Sequence, residues 1–178
     1  MKEVVKFWRY YIPSVDGVEG WGVFLLDSTG MFAAVTDYGN FAYMWPIKHT
    51  GCDDFREFFK HRDAYYVLGK CAPSNGQEYQ GERTEEELRK TILRMRREDT
   101  FTEEDARKEW DLLNEVDLEY REGFHEWYQG TEFIDAHEHM VFDYTVSERA
   151  FADILFPKFC EAVANELKSE LVEAVSQS

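Results

Sequence analysis

Residues 21–45, Trp-Gly-Val-Phe-Leu-Leu-Asp-Ser-Thr-Gly-Met-Phe-Ala-Ala-Val-Thr-Asp-Tyr-Gly-Asn-Phe-Ala-Tyr-Met-Trp, narrow the choice of fold more than any other stretch of this chain. Three short apolar and aromatic runs are separated by two turn signals, the pattern of a β-meander. Ser28-Thr29-Gly30 puts a glycine where a hairpin loop needs positive φ, and Tyr38-Gly39-Asn40 offers two adjacent residues that tolerate the left-handed region. Upstream, Lys2 to Ile12 alternates, with Val5, Phe7 and Arg9 on one face and Val4, Lys6, Trp8 and Tyr10 on the other, until Pro13 ends the run. With Ser14 to Gly20 as a loop, an antiparallel sheet of three or four strands is expected.

After Pro46 the period changes to that of helices. Asp53 or Asp54 can cap a helix carrying Phe55, Phe58 and Phe59, and a second run, Ala64 to Leu68, is expected to stop at Gly69. Both would cover one face of the sheet. Residues 72–81 form the best loop in the chain. Beyond it, Thr84-Glu85-Glu86-Glu87 has the form of a capping box, opening a helix with Leu88, Ile92 and Met95 on one stripe. Thr102 is expected to cap the next helix, whose stripe is Ala106, Trp110, Leu113 and Val116 or Tyr120. Phe124 to Tyr128 suits a helix, and residues 131–145 fit helix or strand. Ser147 can cap a short helix to Leu155, and Pro157 either kinks it or starts a new one bearing Phe159, Val163, Leu167 and Leu171, before a frayed tail at residues 176–178. The fold class is therefore α+β: an N-terminal meander of three or four strands covered by helices, then an acidic, mainly helical C-terminal half. A single domain over 1–178 is expected, with a sub-boundary near 72–82 between a sheet-plus-helix part (1–71) and a helical part (83–175).

Charge decides which partners such a chain can have. Residues 1–108 hold 16 Lys/Arg against 19 Asp/Glu, net −3, and residues 109–178 hold 4 against 17, net −13, which together give the chain's −16. The acidic half is expected not to bind nucleic acid directly, because phosphates are repelled, and to attract a basic protein surface. Arg89, Lys90, Arg94, Arg96 and Arg97 form the one basic concentration, but Glu85, Glu86, Glu87, Glu98 and Asp99 lie close enough to pair with it. Cys52, Cys71 and Cys160 are odd in number and lack Cys-x-x-Cys spacing, so neither a disulfide framework nor a thiolate metal site is suggested. The first residues do not form a signal peptide and no apolar run reaches membrane-spanning length, so a soluble cytoplasmic protein is expected.

No nucleophile elbow, Cys/His signature or phosphate loop is present, and Gly20-Trp21-Gly22 lies between strands as a bend. The one metal-like cluster is Asp135-Ala136-His137-Glu138-His139. On a strand Asp135, His137 and His139 would share a face; on a helix Asp135, His139 and Asp143 would, and His125 could add a ligand. A divalent ion such as zinc is the cofactor of that alternative, and otherwise no cofactor is expected. The acidic half reads as a hydrated surface or, more sharply, as a row of carboxylates imitating a phosphate backbone.

Gly20-Trp21-Gly22, Phe32 to Tyr43, Asp54-Phe55-Arg56-Glu57-Phe58 and Glu109-Trp110-Asp111-Leu112 resemble a family of small proteins encoded by bacteriophages and prophages. The resemblance runs from about Trp21 to Leu113, with the Asp-Tyr-Gly-Asn-aromatic turn as its most specific part. It implies a phage accessory protein acting in the bacterial host cytoplasm, a setting in which small acidic proteins commonly inhibit host defence, anti-CRISPR proteins among them. The expected function is a non-enzymatic inhibitor of a basic, nucleic-acid-handling host protein such as a CRISPR-Cas nuclease. Contact is assigned to Asp111, Glu115, Asp117, Glu119 and Glu122, with Tyr38 and Asn40 at a loop tip. The alternatives are a metal-dependent hydrolase using Asp135, His137 and His139, and a virion assembly or structural factor.

Overall fold

The computed structural model describes residues 4–14, 17–133 and 135–176. The start of the first alternating run, Val15 and Asp16 of the loop after it, and the last two tail residues lie outside the described residues. The chain divides into two compact units, residues 1–76 with 144–178, and residues 77–143.

The first unit is built on a four-stranded antiparallel meander in sequence order: β1 (Phe7–Ile12), β2 (Gly22–Asp27), β3 (Met31–Thr36) and β4 (Gly39–Met44). Pairing Trp8 with Leu26, Phe24 with Ala34 and Ala34 with Phe41 puts the apolar set of every strand on one face. The β2–β3 turn is held by Asp27. Its Oδ1 accepts from the Thr29, Gly30 and Met31 amides at 2.9, 3.1 and 3.0 Å and from the Thr29 hydroxyl at 2.7 Å. Burial alone would raise the Asp27 pKa, but these bonds outweigh it and hold the carboxyl below its ordinary value. Gly30 has φ 106°, and a Cβ there would fall 1.7 Å from the Trp45 carbonyl oxygen. At the second turn Gly39 alone takes positive φ, while Asn40 pairs with Val35 as part of β4.

The inner face is covered by a one-turn helix α1 (Ile47–Thr50), a 3-10 turn at Phe55–Phe59 capped by Asp54, helix α2 (Ala64–Cys71), and the C-terminal segment. Helix α2 runs through Gly69 to Cys71, where the sequence suggests a stop. Gly69 keeps helical φ, and the Tyr144 hydroxyl lies 3.2 Å from where its Cβ would be, so the glycine provides close approach. The C-terminal segment consists of α6 (Val146–Ala150), a π-turn (Phe151–Leu155) and α7 (Phe156–Ser176) without interruption. Pro157 is the second residue of α7, directly after the π-turn. Proline lacks the amide that would bond the Asp153 carbonyl and its ring crowds that carbonyl. The preceding π-turn, closed from the Phe156 amide to the Phe151 carbonyl, makes the room. The cap is Thr145 in a capping box with Glu148, rather than Ser147.

Helix α7 places Phe159 flat on Phe24, ring centroids 4.3 Å apart, and the π-turn stacks Phe151 on Phe41 at 3.9 Å. Beside this aromatic core lies Arg56, 1% exposed. Its guanidinium donates to Asp54 at 2.7 Å and to both Glu170 oxygens at 2.6 and 2.8 Å, lies 3.4 Å from Glu166, and sits 4.9 Å above the Trp8 ring. The Tyr10 hydroxyl donates to Glu166. This cluster ties β1 and the 3-10 turn to α7.

The second unit opens with β5 (Glu78–Tyr79), which pairs with β6 (Phe142–Asp143), and contains α3 (Gly81–Arg97), α4 (Glu103–Asn114) and α5 (Arg121–Gly130). Thr84 does not cap α3, which starts three residues earlier. Its buried hydroxyl instead accepts from the Val141 amide at 3.0 Å. Thr102 does cap α4, in a capping box with Asp105. Helix α4 stops at Asn114, leaving Tyr120 exposed and Leu118 in a core with Leu88, Ile92, Leu113, Phe124 and Trp127. The described residues of 131–145 form neither one helix nor a full strand: a 3-10 turn at Ala136–His139 precedes the two residues of β6.

Replacing Arg56 with methionine strips three carboxylates of their shared cation. Equilibrium unfolding in urea is expected to show a loss of about 3 kcal/mol at pH 7. The pKa of Asp54 is lowered because Arg56 bonds outweigh burial, and that of Glu170 chiefly by its Arg56 bond. Groups with depressed pKa stabilise above their unfolded pKa and lose that stabilisation as pH falls through the folded value. The wild type should therefore weaken below about pH 4, more steeply than Arg56→Met.

Candidate functional site

The second unit carries 21 Asp/Glu against 9 Lys/Arg, net −12. Many of these charges are already occupied. Arg89 pairs with Glu85 at 2.7 Å and lies 4.5 Å over the Trp110 ring, Lys90 pairs with Glu86 at 3.1 Å, and Arg96 with Asp99 at 3.5 Å. The basic concentration thus finds acids on its own helix and the turn that follows. Lys108 reaches Glu132 at 2.6 Å, and Arg83 pairs with Asp143.

Two acids that look like surface charge in the sequence are internal fasteners. Glu109 is 2% exposed, and accepts from the Thr131 hydroxyl at 2.6 Å and the Glu132 amide at 2.9 Å, which holds the segment after α5. In the first unit Glu148 is 3% exposed and accepts from the Ser74 amide and hydroxyl and the Thr145 amide. Burial pushes its pKa up, and these bonds bring it below the ordinary value.

What remains is a corner where α4 ends and α5 begins. Asp111 and Glu115 occupy its α4 side, Asp117 and Glu119 the turn, and Glu122 and Glu126 the start of α5. All six are exposed, and none forms an ion pair among the described residues. The cation of this corner, Arg121, lies 5.8 Å from the Phe142 ring centroid.

The turn itself is closely packed. Leu118 is buried, its carbonyl accepts from the Tyr79 hydroxyl at 3.2 Å, and Asp117 Oδ1 accepts from the Glu119 amide at 3.0 Å. A Cβ on Gly123 would fall 1.8 Å from the Asp117 carbonyl oxygen, and one on Gly81 2.3 Å from that of Leu118. Those glycines lie in the first turns of α5 and α3, so two positive helix ends meet at the backbone of the acidic turn. That favours carboxylates at 117, 119 and 122. Asp111 and Glu115 have no such support: they stand at the negative end of α4, whose last turn contains no basic residue. Gly81 and Gly123 are the site residues that sequence reasoning missed.

Tyr38 and Asn40 belong to the sheet unit. Tyr38 is half-buried and donates its amide to the Thr36 hydroxyl at 3.1 Å, and Asn40 is exposed on β4. The histidine cluster sits on the 3-10 turn. Asp135 precedes that turn with φ 59°, and Asp135, Glu138 and His139 border one hollow, with His137 apart from it. His137 is exposed, and His139 meets the Phe133 ring edge-on at 5.6 Å. Among the described residues no three His, Cys, Asp or Glu side chains gather around a point that could hold a metal ion. Burial pushes the Cys71 and Cys160 thiols to about 12, so neither is a thiolate at neutral pH. No described helix is long and apolar enough to cross a membrane.

No curated protein and no solved structure matches the chain. A model of the phage family Phage_phiTE_072 matches residues 3–165, taking in the sheet, all of the second unit and α7 through the residues that cover the sheet. The match extends well beyond the stretch that carries the resemblance in the sequence, and on it the chain belongs to this phage family.

Proposed function

We propose that this phage protein binds a basic, nucleic-acid-handling protein of its bacterial host through the α4–α5 corner and inhibits it by occupying a groove meant for a phosphate backbone. In its narrowest form the partner is a CRISPR-Cas effector nuclease. One observation carries the reading: six exposed carboxylates on a closely packed corner, with no cation paired to them among the described residues. Carboxylates fixed on a packed scaffold present charge without the entropy cost of ordering it on binding. Clustered like charge also steers a cationic partner from beyond contact distance.

A tagged wild-type protein should capture such a partner from host lysate, release it as salt rises from about 0.1 to 0.5 M, and be displaced by duplex DNA. Reversing Asp111, Glu115, Asp117, Glu119 and Glu122 to lysine should abolish capture while the circular dichroism spectrum is retained. Capture that survives both salt and the reversal would rule out the electrostatic interface. The metal-dependent alternative is separated by elemental analysis, where the proposal expects no stoichiometric zinc or manganese in protein purified without chelator.

A further inference from the structure

We propose that the outer face of the four-stranded sheet is a homodimer interface on which a second copy of this chain packs, sheet on sheet. The register places Phe7, Tyr11, Leu25, Val35 and Met44 on the face opposite the aromatic core, where they are 63%, 57%, 36%, 54% and 50% exposed. They are contiguous: Tyr11 faces Val23, which faces Val35, and Leu25 faces Ala33, which faces Ala42. Single exposed apolar residues need no explanation, but a connected patch of this kind does. The five larger side chains leave on the order of 500 Å² uncovered, and the smaller residues between them bring the face to roughly 600 Å². Doubled, that reaches the lower end of the range for specific interfaces, about 1,200–2,000 Å².

Charge and shape select the occupant. The chain carries −16, yet among the described residues of the four strands Arg9 is the one exposed charge on this face, since Asp27 is turned into its own loop. A basic protein finds no carboxylate here and a nucleic acid no row of cations, whereas a second copy brings a matching neutral apolar face. Bulk is also uneven: β1 contributes Phe7 and Tyr11, and the other edge Asn40, Ala42 and, at its end level with Phe7, Met44. A two-fold axis parallel to the strands lays β1 of one copy over β4 of the other, with Tyr11 over Asn40 and Phe7 against Met44, and keeps the two Arg9 side chains at opposite edges.

Because both copies are strongly negative, salt should strengthen this association by screening their repulsion, the opposite of its effect on a basic partner. Sedimentation velocity over a concentration series up to about 200 μM should show a monomer–dimer equilibrium whose dissociation constant falls between about 0.05 and 0.5 M NaCl. Val35→Lys and Leu25→Lys should raise that constant at least about ten-fold and Val35→Thr less, while Leu171→Lys, on exposed α7, leaves it unchanged. Thermal unfolding of each variant checks that it is folded, and Val35→Thr keeps the test open if a lysine variant is not. A wild type that stays monomeric throughout, a dimer indifferent to residues 25 and 35, or a face that takes up an oligonucleotide instead would overturn the proposal.

Discussion

The contact between Phe159 and Phe24 is the one on which the sheet unit depends. A meander with one apolar face is not stable alone, because the face must be removed from water by another layer. Here the main cover arrives from the far end of the chain, and the stacking of Phe159 on Phe24 and Phe151 on Phe41 brings it home. The π-turn lets this happen despite Pro157, and Arg56 adds a directional lock between the 3-10 turn and α7. Residues 77–143 are thereby an excursion between two stretches of one unit, with a core of their own around Trp127.

That second core holds the α4–α5 turn without calling on Asp111 and Glu115. Acids in the same unit that hold something are identifiable by what they touch, Glu109 on Thr131 and Glu132, and Asp105 on Thr102. Among the described residues the six at the α4–α5 corner form no ion pair; Asp117 accepts from the Glu119 amide, whereas Asp111 and Glu115 stand where a helix dipole opposes them. Charge kept where it does not help the fold is the physical ground for assigning it to a partner.

The strands were legible in the sequence because β2–β4 are short apolar and aromatic runs whose turns carry Gly30 and Gly39 at the positions that need them. The Asp54 and Thr102 caps were legible for the same reason, a short-range hydrogen bond written into adjacent residues. What escaped depends on residues far apart. Thr84 has the spacing of a cap, but is claimed by the Val141 amide 57 positions away. Glu109 and Glu148 look like surface acids until their partners, 22 and 74 positions distant, are placed. Gly81 and Gly123 carry no local signal, since both are helical and their role is to let the 117–118 backbone pass. Residues 136–139 form a 3-10 turn, a period that neither strand nor α-helix represents, so His137 does not share the face that Asp135 and His139 border.

The central claim is that the α4–α5 corner is maintained for a partner and at some expense to the fold. The unfolding free energy of Glu115→Lys tests it most directly, because that position combines the unfavourable end of α4 with acidic neighbours and no ion pair. The account predicts a gain of roughly 0.5–1 kcal/mol in urea unfolding at low ionic strength, shrinking with added salt. A clear loss of stability would contradict it, by showing that the carboxylate supports the fold itself.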